Sequence, residues 1–217
     1  MFITNTRVYG INHSIKRSGY PKNDIVTDKE AIDLLDGVTN KADITRVTKL
    51  GQCANGTGHD NFLKGIIVQF DLNMSLKAWP QAQRYHWFDI VSSCSTMHTI
   101  HKMNIKEHCN EYVWPETIDK LQCAIDRYNE NNSKLNDNSL SQSVKEELQK
   151  VRDKLFYNIV YNIPLGFELT AGITTNYQQL KTIYKQRRNH RLPEWQMICD
   201  WIESLSCSFL ITGKNIN

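Results

Sequence analysis

The segment QAQRYHWFDIVSSCS concentrates side chains that could bind or transform an anionic ligand. Gln81 and Arg84 are three residues apart, so on a helix they would share one face. His86 follows them, and Cys94 and Ser95 add small nucleophilic groups. An arginine presents a planar set of donors to phosphate or to a polar heterocycle, and it stays charged near neutral pH. The segment is therefore either an amphipathic helix with a polar end or the wall of an anion site.

A second arginine strengthens the hypothesis of an anion site. Arg187 lies eleven residues beyond Asn176, late in a second predicted strand–helix segment. Taken singly, arginines such as these are most often surface residues. Their order and spacing, each after a predicted strand, change that weighting towards a shared site for an anionic ligand.

Other candidate sites have simpler explanations. The basic run KQRRNHR could contact nucleic acid, but cations at the end of a helix also complement its dipole. Cys94 could be a nucleophile, yet no base accompanies it. Four further side chains could be imagined as metal ligands, but their spacing matches no standard zinc pattern, so we predict no metal site. These four are His98, His101, His108 and Cys109.

Composition indicates a folded domain with a real core. The chain has 217 residues, of which 40% are hydrophobic, and its formal net charge is only +3. That charge fits a small anionic ligand better than a protein that coats nucleic acid. Six widely spaced cysteines without a C-x-x-C pair indicate free cytosolic thiols. No run approaches the roughly 20 apolar residues of a membrane span.

Periodicity and capping signals predict an α/β (α+β) fold, with long helices on a small sheet. The predicted strands are Lys64–Met74 and Phe167–Thr175. Helices are predicted to begin at Thr27, with Glu30 completing a capping box, and at Pro80 (to about Val91), Pro115, Ser143 (with Glu146), Asn176 and Pro193. Residues 129–143 are nearly all polar and predict a flexible connection within a single domain spanning 1–217.

Two blocks of the sequence resemble the flavin-dependent thymidylate synthase (ThyX) family. The block GHDNFLKGIIVQFDLNMSLKAWPQAQRYH is similar to the family's GHE turn, the next strand and the helix that carries Q-x-x-R-H-R. The block IPLGFELTAGITTNYQQLKTIYKQR is similar to its LPL and N-A-R-S-L segments, and PEWQMICDWI is similar to the segment after them. The resemblance covers a little under half of the chain and rests on collinearity, because no single motif is intact.

The resemblance implies a homotetrameric, cytoplasmic methyltransferase that makes thymidylate. Its members bind FAD and dUMP, take a one-carbon unit from methylenetetrahydrofolate, and use hydride from flavin that NADPH has reduced. An arginine beside the pyrimidine favours the ionised ring and so makes C5 more nucleophilic.

Residue by residue, the resemblance assigns this catalytic role to Arg187. The implied substrate-binding residues are Gln81, Arg84, Ser93, Cys94, Ser95 and Arg187. The implied cofactor-binding residues are His59, Asn61, Arg84, Tyr85, His86, Asn176, Gln178 and Thr182.

Departures from the family pattern leave the substrate open. The family's R-H-R is here Arg84-Tyr85-His86, and Gln178 replaces the arginine of N-A-R. Without a gap Cys94 takes the place of the signature serine, whereas one inserted residue gives Ser95, the alignment we prefer because it retains the serine. Fewer cations would face a nucleotide phosphate, so the alternatives are a pyrimidine-nucleotide hydroxymethylase and a catalytically degenerate nucleotide or flavin binder. Such changes would not be unusual in a virus-encoded protein.

Overall fold

A computed structural model of the protein describes residues 1–214. The strands are β1 (Phe2–Tyr9), β2 (Ile67–Ser75), β3 (Phe88–Ser93) and β4 (Glu168–Asn176). The helices are α1 (Ile11–Arg17), α2 (Asp28–Asp36), α3 (Lys41–Gln52), α4 (Trp79–Ala82), α5 (Thr96–Thr99), α6 (Ile105–His108), α7 (Pro115–Leu135), α8 (Gln142–Tyr161), α9 (Tyr177–Arg187), α10 (Pro193–Ser204) and α11 (Phe209–Thr212). Short 3₁₀ turns lie at Tyr20–Lys22, Asn61–Gly65 and Ile100–Lys102.

The described chain forms two compact units. The first comprises Met1, Asn73–Pro80 and Ser92–Ala171, and the second comprises Phe2–Leu72, Gln81–Val91 and the residues from Gly172 onward. The strand order is β1-β2-β4-β3. In the second unit the Tyr177 N–H donates to the Ile66 carbonyl at 3.0 Å, and in the first the Leu76 N–H donates to the Phe167 carbonyl at 2.9 Å. Strands β2 and β4 are therefore antiparallel.

The first unit is built on the hairpin of α7 and α8. Leu121 and Ile125 are spaced one turn apart on α7 and are buried, as the helical period requires. Ile159 of α8 and Phe167 complete the cluster with Ile100 and Ile105. Burying this apolar face stabilises two helices whose outer faces are largely polar.

In the second unit, helix α9 is held on several sides. Its residues Tyr177, Leu180 and Ile183 are fully buried, and α10 and α11 pack against it. The Tyr177 hydroxyl donates to the Ser206 carbonyl, and burial raises the pKa of that hydroxyl above its usual range. On α10, Trp195 and Ile198 belong to the buried face. These contacts hold helix α9 in place, so polar side chains at its two ends have fixed positions.

A glycine is required where β1 turns into α1. Gly10 has φ +78°, and a Cβ added there would lie 2.5 Å from the Gly65 carbonyl oxygen. Any other L-residue would be strained in that conformation and would also push β1 away from the chain before β2.

Most of the predicted elements are confirmed. The mixed fold with long helices and a small sheet is present, both predicted strands form, and helices begin at Pro115 and Pro193. The capping box of Thr27 and Glu30 is also confirmed, since both of its hydrogen bonds are made.

The predicted helix from Pro80 to about Val91 is wrong. Helix α4 ends at Ala82, and the chain continues as strand β3. Within the second unit, the Trp87 carbonyl accepts from the Thr175 hydroxyl at 2.5 Å, and the Trp87 N–H donates to Gln179 Oε1 at 3.2 Å. These bonds fix the turn immediately before β3, and the aromatic and β-branched residues of the strand itself suit an extended conformation.

The predicted polar connection is shorter than expected. Helix α7 continues to Leu135 and α8 begins at Gln142, so only residues 136–141 separate them. The predicted cap at Ser143 is wrong, because Ser141 occupies the N-cap position without a side-chain cap bond. Strand β1 and helix α3 were not predicted, and the single-domain expectation stays a prediction.

Candidate functional site

The first candidate cluster surrounds Arg187 at the end of α9. Its Nε donates to the Tyr85 hydroxyl at 2.7 Å, and its Nη1 donates to Gln81 Oε1 at 3.1 Å. The guanidinium carbon lies 4.6 Å from the ring centroid of Trp195 and 5.5 Å from that of Tyr85. The Tyr85 hydroxyl donates in turn to Gln186 Oε1 at 3.0 Å. The structure thus brings three predicted site residues together and fixes the plane of the guanidinium.

The orientation of the Gln81 amide follows from its neighbours. The Trp195 indole N–H donates to Gln81 Oε1 at 3.1 Å, so this oxygen accepts from two donors. An amide nitrogen could not replace it, because it has no acceptor to offer. Gln81 Nε2 and Arg187 Nη2 make no hydrogen bond to the described residues. Both remaining groups are hydrogen-bond donors. Together Gln81 Nε2 and Arg187 Nη2 form a donor edge, which suits a ligand that presents acceptors.

The charge of Arg187 is not neutralised within the described chain. The half-buried guanidinium forms no ion pair there, whereas its neighbour Arg188 pairs with Asp200 and Glu203. Burial lowers the pKa of His190, and the positive charge of Arg187 lowers it further, while Glu194 opposes the shift. The lowered pKa of His190 favours its neutral form, and its Nδ1 accepts the Leu192 N–H at 3.1 Å. The Arg187 guanidinium is therefore a cation without an ion-pair partner among the described residues, and the Glu194 carboxylate lies close enough to act on the same cluster.

A second candidate cluster lies at the start of α9. Gln178 Nε2 donates to Asp60 Oδ1 at 3.0 Å and to Asn61 Oδ1 at 3.3 Å. The Thr182 hydroxyl donates to the Gln178 carbonyl and accepts from the Asn55 amide at 3.0 Å. The predicted cofactor residues Asn61, Gln178 and Thr182 therefore belong to one polar network, in which their amide and hydroxyl groups are joined to the Asp60 carboxylate.

A buried ion pair anchors this second cluster. Lys181 Nζ donates to Asp60 Oδ2 at 2.6 Å and to the Cys53 carbonyl at 2.7 Å. The side chains of Lys181 and Asp60 are 1% and 0% exposed. Because Asp60 also accepts from Gln178, the pair fixes the turn before Asn61 against α9.

The remaining predicted cofactor residues are less constrained. His59 and His86 are exposed, and the ring of His86 meets Trp87 edge-on. Arg84 is exposed and makes no ion pair within the described chain. Asn176 is buried, and its Oδ1 caps α9 by accepting the Gln179 N–H at 2.9 Å. One side of the Asn176 amide is therefore occupied by the fold itself.

Three predicted substrate residues lie in the first unit. Ser93 ends β3, Cys94 donates its backbone N–H to the Thr170 carbonyl at 2.9 Å, and Ser95 is the N-cap of α5. The Ser95 carbonyl accepts from the Thr99 hydroxyl at 2.6 Å. The side chains of Ser93 and Cys94 are exposed. Their substrate role, and the choice between Cys94 and Ser95, stay predictions.

Sequence reasoning missed the residues that support both clusters. Trp195 was assigned only to the apolar face of its helix, although its indole nitrogen orients Gln81. Asp60 and Lys181 lie within the two resembling blocks but were given no role, because a buried ion pair between residues 121 positions apart leaves no local pattern. Trp195 does lie in the block PEWQMICDWI, which the resemblance had marked.

The part of the chain that the structure describes contains no group of three or more His, Cys, Asp or Glu side chains placed to hold a metal ion. No helix in residues 1–214 combines the length and the apolar character needed to cross a membrane. All six cysteines are free thiols.

No family model and no curated protein matches the sequence. Among solved structures, the fold is similar to thymidylate synthase X from Helicobacter pylori with FAD and dUMP. The TM-score is 0.62 at 11% identity, covering 98% of this chain and 97% of that chain. A second structure of that protein, also complexed with FAD and dUMP, gives a TM-score of 0.60 at 12% identity, with the same coverage.

A third similar structure comes from a different protein. The UMP/dUMP methylase PolB from Streptomyces cacaoi, bound with 5-Br dUMP, has a TM-score of 0.54 at 9% identity, covering 94% of this chain and 88% of that chain. At such identities the similarity shows the fold alone. The chain therefore has a ThyX-like fold, as the sequence blocks predicted.

Proposed function

We propose that this protein is a flavin-dependent enzyme that transfers a one-carbon unit from methylenetetrahydrofolate to C5 of dUMP. The observation that carries the proposal is the donor edge formed by Arg187 and Gln81, on a ThyX-like fold. The structural neighbours from Helicobacter pylori were solved with FAD and dUMP, which supports the same ligands here.

The donor edge favours uracil over cytosine. Uracil presents two carbonyl oxygens on either side of N3, and these accept hydrogen bonds from Arg187 Nη2 and Gln81 Nε2. When N3 loses its proton, the cation stabilises the negative charge, and electron density at C5 rises. Cytosine carries an amino group in place of one carbonyl. That amino group is a donor, so it would face the N–H donors of Arg187 or Gln81 without forming a hydrogen bond. We therefore propose dUMP, rather than dCMP, as the substrate.

The second cluster fits a flavin by the chemistry of its groups. The edge of a flavin ring offers carbonyl oxygens and an N–H, which uncharged amides and hydroxyls can match. We assign this contact to Asn61, Gln178 and Thr182, with exposed His59 beside them. Bound flavin, once reduced by NADPH, supplies the hydride for the reaction. The Asp60–Lys181 pair would hold these contacts in place.

The first experiment tests whether the protein takes up FAD. Purified protein is mixed with FAD, desalted and scanned for flavin absorbance at about 375 and 450 nm. Retained bands would support the flavin assignment, and a colourless protein would contradict it. Replacing Asn61 by Ala should weaken retention, whereas replacing Asn132 by Ala, on the outer part of α7, should not.

The second experiment tests the donor edge with dUMP and dCMP titrations. Arg187→Lys keeps the charge but loses the planar fork, and it should weaken dUMP binding by about 10- to 100-fold. The matched control is Arg188→Lys, because Arg188 already pairs with two carboxylates. Equal dUMP affinity in the two variants would contradict the assignment of Arg187.

Turnover separates the proposed enzyme from its alternatives. With dUMP, methylenetetrahydrofolate and NADPH, chromatography should detect thymidylate, while 5-hydroxymethyl product would indicate the hydroxymethylase. Uptake of both ligands without any product would indicate the degenerate binding protein. The homotetramer and the cytoplasmic location stay predictions, and light scattering after gel filtration would test the first.

A further inference from the structure

The turn that carries Tyr85 is closed by local hydrogen bonds. The Tyr85 N–H donates to the Ala82 carbonyl at 3.0 Å, and the Phe88 N–H donates to the Tyr85 carbonyl at 3.3 Å. Bonds of this kind close a turn on itself, but they do not direct it towards another element. Because the Tyr85 hydroxyl holds Arg187, its position needs a further constraint from outside the turn.

Trp87 provides that constraint through its backbone. Its carbonyl accepts from the Thr175 hydroxyl at 2.5 Å, and its N–H donates to Gln179 Oε1 at 3.2 Å. Thr175, near the end of β4, is 3% exposed, and Gln179, in the first turn of α9, is 8% exposed. Both backbone groups of Trp87 are thus bound by buried side chains, which makes Trp87 a fixed point two positions from Tyr85.

Gln179 is itself fixed by the start of α9. Its N–H donates at 2.9 Å to the side-chain oxygen of Asn176, the N-cap residue of the helix. Gln179 and Gln186 are about two helical turns apart, so they share one face of α9. Gln186 Oε1 accepts from the Tyr85 hydroxyl at 3.0 Å, as Gln179 Oε1 accepts from the Trp87 N–H. The turn therefore lies along this face of α9.

Packing alone does not explain a glutamine at position 179. An apolar side chain would fill a buried position without the cost of desolvating an amide. Gln179 Nε2 makes no hydrogen bond to the described residues, so the bond from Trp87 is what its side chain gains. A half-satisfied amide in a position this buried is unfavourable for stability, which indicates that the position of Trp87 matters for the site.

The effect of this clamp reaches Arg187 through Tyr85. The Tyr85 hydroxyl accepts from Arg187 Nε at 2.7 Å, and the Tyr85 ring centroid lies 5.5 Å from the guanidinium carbon. The Trp195 ring centroid lies 4.6 Å from the same carbon. Release of the turn would move Tyr85, so the guanidinium would keep its charge but lose a contact that sets its plane.

We propose that Thr175 and Gln179 are positioning residues, which fix the backbone of Trp87 and so set Tyr85 and the plane of the Arg187 guanidinium. The positioning is a property of the ligand-free protein. Its consequence, the preference of the donor edge for uracil, rests on the proposed function.

Fluorine NMR of protein labelled with 5-fluorotryptophan tests the positioning without a ligand. The variants Trp87→Phe and Trp195→Phe assign the two resonances of interest. Thr175→Val and Gln179→Leu each remove one bond to Trp87 and nearly preserve the side-chain shape. We expect both variants to shift the Trp195 resonance as well as that of Trp87. A Trp195 resonance that stays at its wild-type position in both variants would overturn the proposal.

The matched control lies on the same strand. The Thr174 hydroxyl accepts from Gln69 Nε2 at 3.4 Å, so Thr174→Val removes a hydroxyl of β4 that is bonded away from Trp87. Both tryptophan resonances should stay in place in this variant, and melting curves establish that each variant is folded. A shift of the Trp195 resonance as large in Thr174→Val as in Thr175→Val would also overturn the proposal.

Titrations with dUMP and dCMP test the consequence for the donor edge. Thr175→Val and Gln179→Leu should lower the preference for dUMP by about three- to tenfold, because the charge of Arg187 still attracts either nucleotide but its donors no longer face the carbonyl oxygens. Loss of folded protein would weaken both nucleotides equally and leave their ratio unchanged. Wild-type protein without a dUMP preference would contradict the proposed substrate, and the NMR result would still decide the positioning. A preference that survives in both variants would overturn the inference alone.

Discussion

Replacing Lys181 by Met tests whether the buried ion pair holds the second cluster together. The methionine keeps most of the side-chain volume but leaves the Asp60 carboxylate, which is 0% exposed, with the Gln178 amide as its remaining side-chain partner among the described residues. Removing one member of a buried pair typically costs about 3–5 kcal/mol, because the other charge stays desolvated. We therefore expect a loss of about 3–5 kcal/mol in the free energy of unfolding, which is large for a single domain.

The measurement is urea denaturation followed by tryptophan fluorescence, at one protein concentration and pH 7. A double variant, Asp60→Asn with Lys181→Met, removes both charges and keeps an oxygen acceptor for Gln178. It should recover at least about 2 kcal/mol of the single-variant loss. The matched control is Lys134→Met, which breaks the solvent-exposed pair with Glu130 on α7 and should leave stability unchanged.

Two outcomes would refute this account of the pair. A Lys181→Met loss below about 1 kcal/mol would mean that the site is hydrated or able to rearrange. A double variant no more stable than the single one would mean that the cost comes from the lost methylene packing and the lost bond to the Cys53 carbonyl. Retained flavin in the single variant would separately show that Gln178 does not need the pair.

Three further predictions concern other parts of the second unit. Gly10→Ala forces a Cβ against the Gly65 carbonyl at φ +78°, so it should cost about 1–3 kcal/mol in thermal unfolding, and an unchanged melting temperature would contradict the strain. Burial alone would raise the pKa of Asp43, but bonds from Lys16, the Asn40 backbone and Arg46 outweigh it and lower the pKa to about 2. Its contribution of roughly 2 kcal/mol is present above the unfolded pKa near 4 and is lost as pH falls towards 2, so Asp43→Asn should flatten that part of the stability profile. Trp195→Phe keeps a ring beneath Arg187 but removes the donor to Gln81, so titration should show about two- to tenfold weaker dUMP binding, and equal affinity would contradict the role of the indole.

The elements that could be predicted are those with a local signal. The capping box at Thr27 acts within one helical turn, prolines fix the starts of α7 and α10, and alternation marks β2. Strand β3 could not be predicted in this way, because Trp87, in the turn just before the strand, is held by hydrogen bonds with Thr175 and Gln179. Those partners lie about 90 positions away in the sequence, where no periodic pattern reaches.

The residues of the candidate site also fall into those that the sequence predicted and those that it did not. Arg187 and Gln81 were predicted through a collinear resemblance, and the structure joins them across 106 positions by a 3.1 Å hydrogen bond. The supporting Trp195 and the Asp60–Lys181 pair were not predicted. Supporting residues of this kind act through one contact each, so their type alone does not distinguish them from ordinary core residues.

Whether the partners of Arg187 are neutral or charged determines which ligands it can bind. A carboxylate partner would fix the guanidinium equally well, but it would also neutralise the charge that an anionic ligand needs. Here Trp195, Tyr85 and Gln81 fix the group by ring contacts and neutral acceptors, which leaves the positive charge in place. Neutral support of an arginine has a desolvation cost, and no ion pair among residues 1–214 compensates for it here. Such an arrangement is favoured where a ligand supplies the negative charge, as an ionised pyrimidine ring would.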